Sequence, residues 1–173
     1  LTIQNYVLVE RLDIRFSNGL TIITGESGAG KSILLGALNL LLGERARSDT
    51  VRPGASKADI SAEFVLHPTS ALQRKLLDDE LIDPDADACL LRRVISTEGR
   101  SRAFINAVPV TLNYLKDVGD ALVEIQGQNE HQRLADRNVQ RALLDDYANQ
   151  GAQSAKVKTL HQAWKTTEHR IHE

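Results

Sequence analysis

The chain has 173 residues, of which 42% are hydrophobic and 25% charged, and these values are typical of a soluble globular protein. Its formal net charge is -2, from 21 basic and 23 acidic residues, which excludes nucleic-acid binding through overall positive charge and leaves only a local basic patch. The one cysteine, Cys89, excludes an internal disulfide, and the absence of a secretory signal or long apolar run leads us to expect no membrane partner.

The first predicted elements are short strands. Leu12, Ile14 and Phe16 alternate with polar residues, the pattern of a half-buried strand. Asn18-Gly19 predicts a tight hairpin turn. The β-branched run at 20–24 predicts a buried strand that follows this turn.

A glycine-rich motif comes directly after that run. Residues 25–32 read G-E-S-G-A-G-K-S, which has the G-x-x-x-x-G-K-[ST] spacing of a phosphate-binding P-loop. The residues predicted to hold a nucleotide are Gly25, Glu26, Ser27, Gly28, Ala29, Gly30, Lys31 and Ser32. Lys31 would reach the β- and γ-phosphates, and the Ser32 hydroxyl would bind Mg²⁺. The alternative, a chance glycine-rich turn, is disfavoured because a predicted helix over 32–42, with Gly43 as its C-cap, follows the predicted strand.

A basic loop is predicted after this helix, over 43–57. Arg47 and Arg52 lie in it among Ser, Gly and Pro residues, and either could contact phosphates of a nucleotide or of DNA. A solvated loop is the alternative, since exposed arginines are common.

Alternation and helical spacing predict the next elements. They are a strand over 58–66, a helix over 70–81, a strand hairpin over 89–96 and 102–106, and a helix over 110–119. Arg92 and Arg93 must face opposite sides of their strand, so at most one of them belongs to any single patch.

An amide-rich segment follows the strand-like run at 122–125. Ligands of open sheets bind at the carboxyl ends of strands, so Gln128 is a candidate for contact with Mg²⁺ or the attacking water. A polar turn remains the alternative.

The last elements are predicted helices. Residues 138–148 contain A-L-L-D-D-Y, which superficially resembles a Walker B strand, but their spacing favours a helix. From 152 to 173 an apolar heptad seam predicts the start of a coiled coil; the alternative is a terminal helix packed on its own domain. The predicted domains are therefore 1–149 and 150–173.

Two parts of an ATPase are missing from this pattern. Hydrolysis needs an acidic residue on a second strand and a group that polarises water, and we find no convincing Walker B strand. We expect these parts in a later segment. The chain begins with Leu and contains no Met, so we expect it to be an excerpt.

Five stretches together carry a family resemblance. They read N-Y-V-L-V-E-R-L-D-I-R-F-S-N-G-L-T-I-I-T-G-E-S-G-A-G-K-S, L-L-G-E-R-A, V-R-P-G-A-S-K-A-D-I, C-L-L-R-R-V-I-S-T-E-G-R-S-R-A-F-I-N and I-Q-G-Q-N-E-H-Q. With the helix that follows, the chain resembles the bacterial DNA-repair members of the SMC-like ATPases, relatives of the ABC ATPases. The resemblance covers nearly all of residues 1–149, and the combination is far more specific than the P-loop alone.

The resemblance implies a fold, partners and roles. The fold would be α/β, the P-loop NTPase lobe of an ABC-type head with a mixed sheet, followed by the root of a coiled coil. ATP and Mg²⁺ would be the cofactors, and Gln128, favoured over Gln126, would be the Q-loop glutamine. Partners would be DNA, the protein's own C-terminal head lobe and a second copy, in the bacterial cytoplasm at the nucleoid. The alternatives are a self-contained P-loop kinase or GTPase, and a structural coiled-coil protein with a vestigial P-loop.

Overall fold

The computed structural model describes residues 1–24, 30–125, 137–148 and 150–172. The chain divides into two compact units, Leu1–Glu124 and Ile125–Glu173. The domain boundary predicted between residues 149 and 150 stays a prediction.

The first unit is built on one antiparallel sheet. Its strands are β1 (Thr2–Tyr6), β2 (Val9–Asp13), β3 (Lys57–Val65), β4 (Ala88–Ser96), β5 (Ser101–Ile105) and β6 (Val108–Val110). Their order across the sheet is β2-β1-β3-β4-β5-β6. The strands predicted at 58–66, 89–96 and 102–106 are confirmed. All pairings between the described strands are antiparallel, so the described residues do not contain the parallel part of the expected mixed sheet.

The first hairpin turns at a different place from the one predicted. β1 and β2 are joined by the two-residue loop Val7-Leu8, and Asn18-Gly19 forms a bend without a strand after it. Val7 has a φ of 49°, which is unusual for a β-branched residue, and its N–H donates to Thr50 O at 3.0 Å. The hairpin predicted at Asn18-Gly19 was wrong, because no strand follows that bend at residues 20–24.

Two apolar runs that were predicted to be strands are not strands in the structure. Residues 20–24 are exposed and pair with no strand that the structure describes, with Leu20 exposed to 88% and Ile22 to 73%. Residues 123–125, after the helix that ends at Leu122, likewise form no strand. A strand needs a hydrogen-bonding neighbour, and no described strand pairs with either run.

Three helices belong to the same unit: α1 (Gly30–Leu41), α2 (Ala71–Asp78) and α3 (Leu112–Leu122). The hydroxyls of Ser70 and Thr111 cap α2 and α3 by accepting backbone N–H groups of Gln73 and Tyr114. One face of the sheet contributes fully buried side chains to the core, including Ile3, Ile60, Leu91 and Ile105. This alternation in and out of the core is what the sequence pattern predicted.

The sheet ends in the short strand β6. It is joined to β5 by the two-residue loop Asn106-Ala107, in which both residues have positive φ, as a type I′ turn requires. The Asn106 side chain accepts from Leu90 N at 2.7 Å and donates to Leu81 O at 2.9 Å. Pro109 lies in the middle of β6, at an edge of the described sheet, where a residue without an N–H is tolerated.

The described residues of the second unit form two helices, α4 (Arg137–Tyr147) and α5 (Gly151–His172). The helices predicted over 138–148 and 152–173 are thereby confirmed. The apolar seam of α5 is exposed at Val157, Leu160, Trp164 and Ile171. Whether this helix starts a coiled coil or packs on its own domain stays a prediction. None of the helices in the described ranges is both long and apolar enough to cross a bilayer.

Candidate functional site

Helix α1 carries the described end of the P-loop motif. Gly30, Lys31 and Ser32 form its first turn, and all three are exposed. Backbone N–H groups in the first turn of a helix have no acceptor within the helix, so they can bind an anion. Residues 25–29 of the motif lie outside the described residues, as do Gln126, Gln128 and His131.

The middle of α1 rests on the sheet. Ala37, Leu40 and Leu41 are buried, whereas Leu35 is 53% exposed. Gly36 lies against the Tyr6 side chain of β1, since a Cβ at this position would lie 2.5 Å from the Tyr6 hydroxyl oxygen. Burial is the main cause that raises the pKa of Tyr6 above its ordinary value.

The carboxyl end of α1 is closed by a glycine, as predicted. Gly43 has a φ of 100°, its N–H donates to Leu40 O at 3.2 Å, and Glu44 N–H donates to Asn39 O at 2.9 Å. This pair of hydrogen bonds is a Schellman motif. A Cβ at Gly43 would lie 2.8 Å from the Lys116 Cα, so the glycine also permits close approach to α3.

A buried arginine meets the same helix end. Arg93 of β4 is 1% exposed, and its Nη1 donates to Leu40 O at 2.5 Å and also to Glu44 O. Its Nε donates to Ser101 Oγ at 2.9 Å. Burial lowers the pKa of Arg93 and the Glu44 carboxylate opposes this shift, but an arginine stays protonated in proteins. The partial negative charge of the helix carboxyl end compensates for part of the buried cation.

Sequence analysis did not identify Arg93 as part of the site. A signal for its burial was available, because Arg93 alternates with Leu91 and Ile95, which are both buried, but the sequence carries no signal for its contacts with α1. Arg92 faces the other way, where its guanidinium donates to both carboxylate oxygens of Asp59. The prediction that the two arginines face opposite sides is therefore confirmed.

Arg47 and Arg52 lie in a loop that is anchored on the first hairpin. The Arg47 side chain is exposed and its Nε lies 3.5 Å from Asp49 Oδ1. The Arg52 backbone N–H donates to Asn5 O at 2.9 Å, and its Nη1 lies 3.3 Å from Glu10 Oε2. Both arginines can present positive charge to solvent, and their role in binding a nucleotide or DNA stays a prediction.

Comparison with known proteins decides the family. A family model described as an AAA domain matches residues 1–170. The chain belongs to this AAA domain family.

Individual relatives of this AAA domain confirm the resemblance predicted from the motifs. The chain is 40% identical over 172 residues to the DNA repair protein RecN of Haemophilus influenzae, covering 99% of the chain and 31% of the relative. It is 44% identical to RecN of Xylella fastidiosa, over 95% of the chain and 29% of the relative. It is 36% identical to RecN of Bacillus subtilis, over 95% of the chain and 28% of the relative. The AAA domain thus spans less than a third of the relatives it matches.

Solved structures confirm the fold class. An Smc head domain with an extended coiled coil, from Pyrococcus furiosus and bound to the C-terminal domain of ScpA, matches with a TM-score of 0.66 at 21% identity, over 98% of this chain and 46% of that one. The Smc head domain with a coiled coil and joint from Pyrococcus yayanosii matches with a TM-score of 0.66 at 20% identity, over 98% of this chain and 35% of that one. The AAA domain therefore has the α/β fold of Smc heads.

Proposed function

We propose that this chain is the nucleotide-binding lobe of an SMC-like ATPase head that acts in the recombinational repair of DNA double-strand breaks. The observation that carries the proposal is the match to RecN over nearly the whole chain, with the P-loop motif ending at the first turn of α1. The backbone N–H groups of that turn would donate hydrogen bonds to phosphate oxygens. Lys31 would neutralise the β- and γ-phosphates, and the Ser32 hydroxyl would bind Mg²⁺.

Hydrolysis would need groups from elsewhere. Gln128 would lie near Mg²⁺ and the γ-phosphate, while the signature motif and the Walker B acid would come from a C-terminal head lobe. Two heads would enclose ATP between them, so the isolated chain is expected to bind ATP and turn it over little. Arg47 and Arg52 are proposed to contact the nucleotide or DNA, in the bacterial cytoplasm at the nucleoid.

The exposed apolar residues support a missing partner lobe. The run at 20–24 leads into the P-loop, and a lobe that adds a strand beside it would cover Leu20 and Ile22. The exposed seam of α5 supports a coiled coil in the same way, because an apolar heptad stripe is stabilised by a second helix.

The substitution Lys31→Ala tests the proposed nucleotide site. Titration of the 173-residue chain with a fluorescent ATP analogue and Mg²⁺ should show saturable binding. Lys31→Ala should weaken this binding about tenfold or more, because a hydrogen bond to a charged group contributes about 1.5–3 kcal/mol. Lys57→Ala, which removes another exposed lysine of the same unit, is the matched control and should bind as the parent chain does.

Two results would contradict the proposal. Equal ATP affinity of the parent and Lys31→Ala chains would favour the structural coiled-coil protein with a vestigial P-loop. Strong preference for GTP, or rapid turnover by the isolated chain, would favour a self-contained GTPase or kinase.

A further inference from the structure

The carboxyl end of α1 is held by a group that has no role in the proposed chemistry. Arg93 is a buried cation without a hydrogen bond to a carboxylate among those described for it; its partners are Leu40 O, Glu44 O and Ser101 Oγ. Burying a charge is costly unless polar partners compensate for it. An apolar residue would fill the same space at a lower desolvation cost if only packing mattered. The buried arginine therefore points to a role in fixing the carboxyl end of α1.

The geometry of α1 links the Arg93 contact at its carboxyl end to the position of its amino end. The Tyr6 side chain supports the helix at Gly36. Leu40 and Ser32 each lie four residues from Gly36, a distance of about 6 Å along the axis on either side at 1.5 Å per residue. If α1 pivots at Gly36, a shift of about 1 Å at Leu40 therefore moves Ser32 by about 1 Å in the opposite direction.

We propose that Arg93 is a positioning residue for the nucleotide site: by clamping the carboxyl end of α1 to β4 and β5, it fixes the orientation of the first turn of α1. The inference rests on the proposed function, because it concerns the same P-loop helix. Arg93 itself touches neither nucleotide nor Mg²⁺; it acts through α1. The contact to Ser101 in β5 restricts the guanidinium further, since three hydrogen bonds to three different residues define its plane.

The experiment compares Arg93→Met, Arg93→Lys and Ser101→Ala in the 173-residue chain. Affinity for ATP with Mg²⁺ is measured well below the melting temperature, and the melting temperature is measured without nucleotide. Arg93→Met should weaken ATP binding about tenfold or more, because displacing a binding group by about 1 Å has large effects. Arg93→Lys keeps a donor for the helix carbonyls and should therefore retain part of the ATP affinity. Ser101→Ala should fold and should lose less ATP affinity than Arg93→Met.

Two controls separate positioning from stability. Arg92→Met removes the neighbouring exposed arginine and should leave ATP affinity unchanged. Leu76→Ala opens a cavity beneath α2 and should lower the melting temperature without weakening ATP binding. The inference is supported if Arg93→Met loses far more affinity than Leu76→Ala.

The failure of this inference is distinct from failure of the proposed function. If the parent chain binds ATP and both Arg93→Met and Ser101→Ala bind it equally well, Arg93 has no positioning role although the nucleotide site stands. If Arg93→Met does not fold, unchanged affinity in Ser101→Ala and Arg93→Lys overturns the inference. Absence of ATP binding by the parent chain would overturn the proposed function itself, and this inference with it.

Discussion

Arg92 and Arg93 are adjacent in the sequence, yet one is a surface residue and the other is buried. The period of two in β4 accounts for their opposite directions. It does not account for what Arg93 contacts, because Leu40 lies 53 positions away along the chain. The sequence thus defines the side of the sheet that a residue faces, whereas long-range packing defines its partners.

The burial of Cys89 leads us to predict how the stability of the chain depends on pH. Its thiol is buried, which agrees with the expectation from its apolar neighbours, and burial raises its pKa from 9.0 to about 11. At pH values between about 9 and about 11, the Cys89 thiol keeps its proton in the folded chain and loses it in the unfolded chain. The free energy of unfolding should therefore fall as pH rises from about 9 to about 11, and be unaffected by Cys89 below this range.

The measurement is denaturant unfolding of the parent chain and of Cys89→Ala at several values of pH. Tyr6 and Tyr114 also have raised pKa values, so both proteins should lose stability in alkali. The difference between the two isolates the thiol, and Cys89→Ala should show the shallower decline. Parallel declines would show that the Cys89 thiolate is as well solvated in the folded chain as in the unfolded one.

At the scale of elements, the sequence predicted the helices and the strands of the sheet interior well. β3 alternates between buried and more exposed residues, as does β4 from Ala88 to Arg93, and the helices carry apolar residues at helical spacing. The strands predicted at 20–24 and 122–125 were not found. An apolar run indicates that its side chains favour burial, but it does not indicate that a neighbouring strand is present. The turn at Val7-Leu8 was missed because neither residue is a turn former.

The close packing of α1 against α3 leads us to predict that a side chain at Gly119 lowers the stability of the chain. A Cβ at this position would lie 2.9 Å from the Leu42 carbonyl oxygen, at a contact between two backbones. Gly119→Ala should therefore destabilise the chain by about 1–3 kcal/mol, despite the better helix propensity of Ala, because overpacking forces the helices apart.

Chemical denaturation of Gly119→Ala would give this value directly. Gly151→Ala in α5 is the matched control, since a Cβ there meets no atom within 4 Å. It should have little effect on stability or a slightly favourable one. A stable Gly119→Ala chain would mean that α1 and α3 separate without cost.

At the scale of the whole molecule, the described residues leave large apolar side chains uncovered. Leu20 and Ile22 should tolerate aspartate without loss of stability, because they are 88% and 73% exposed and surface substitutions usually change stability by about 0.5 kcal/mol or less. The double variant should, however, lose association with the C-terminal head lobe of a RecN relative, as measured by calorimetry.

Val65→Asp provides the control for that experiment. Val65 is 83% exposed at the end of β3, so the substitution adds the same charge at an apolar position of the same unit. It should leave the association intact. A large drop in the melting temperature of the Leu20 and Ile22 variant would show that this segment is already packed within the chain.

The sequence predicts which residues of the candidate site could bind a nucleotide, but it does not predict which distant residues contact α1. The motif at 25–32 and the start of α1 could be predicted from glycine spacing and apolar periodicity, because both are local patterns. The contacts of Tyr6 and Arg93 with α1 could not be predicted, because they depend on how distant elements meet. The roles of Lys31, Ser32 and Gln128 stay predictions that the nucleotide experiments address.

Pro109 has a consequence for how this chain behaves beside its own copies. A sheet edge normally offers a row of amide donors, which can recruit a further strand from another molecule. In β6 that row is only three residues long, and its central position carries a ring instead of a donor. Pairing of copies edge to edge through hydrogen bonds is thereby disfavoured at this side of the described sheet.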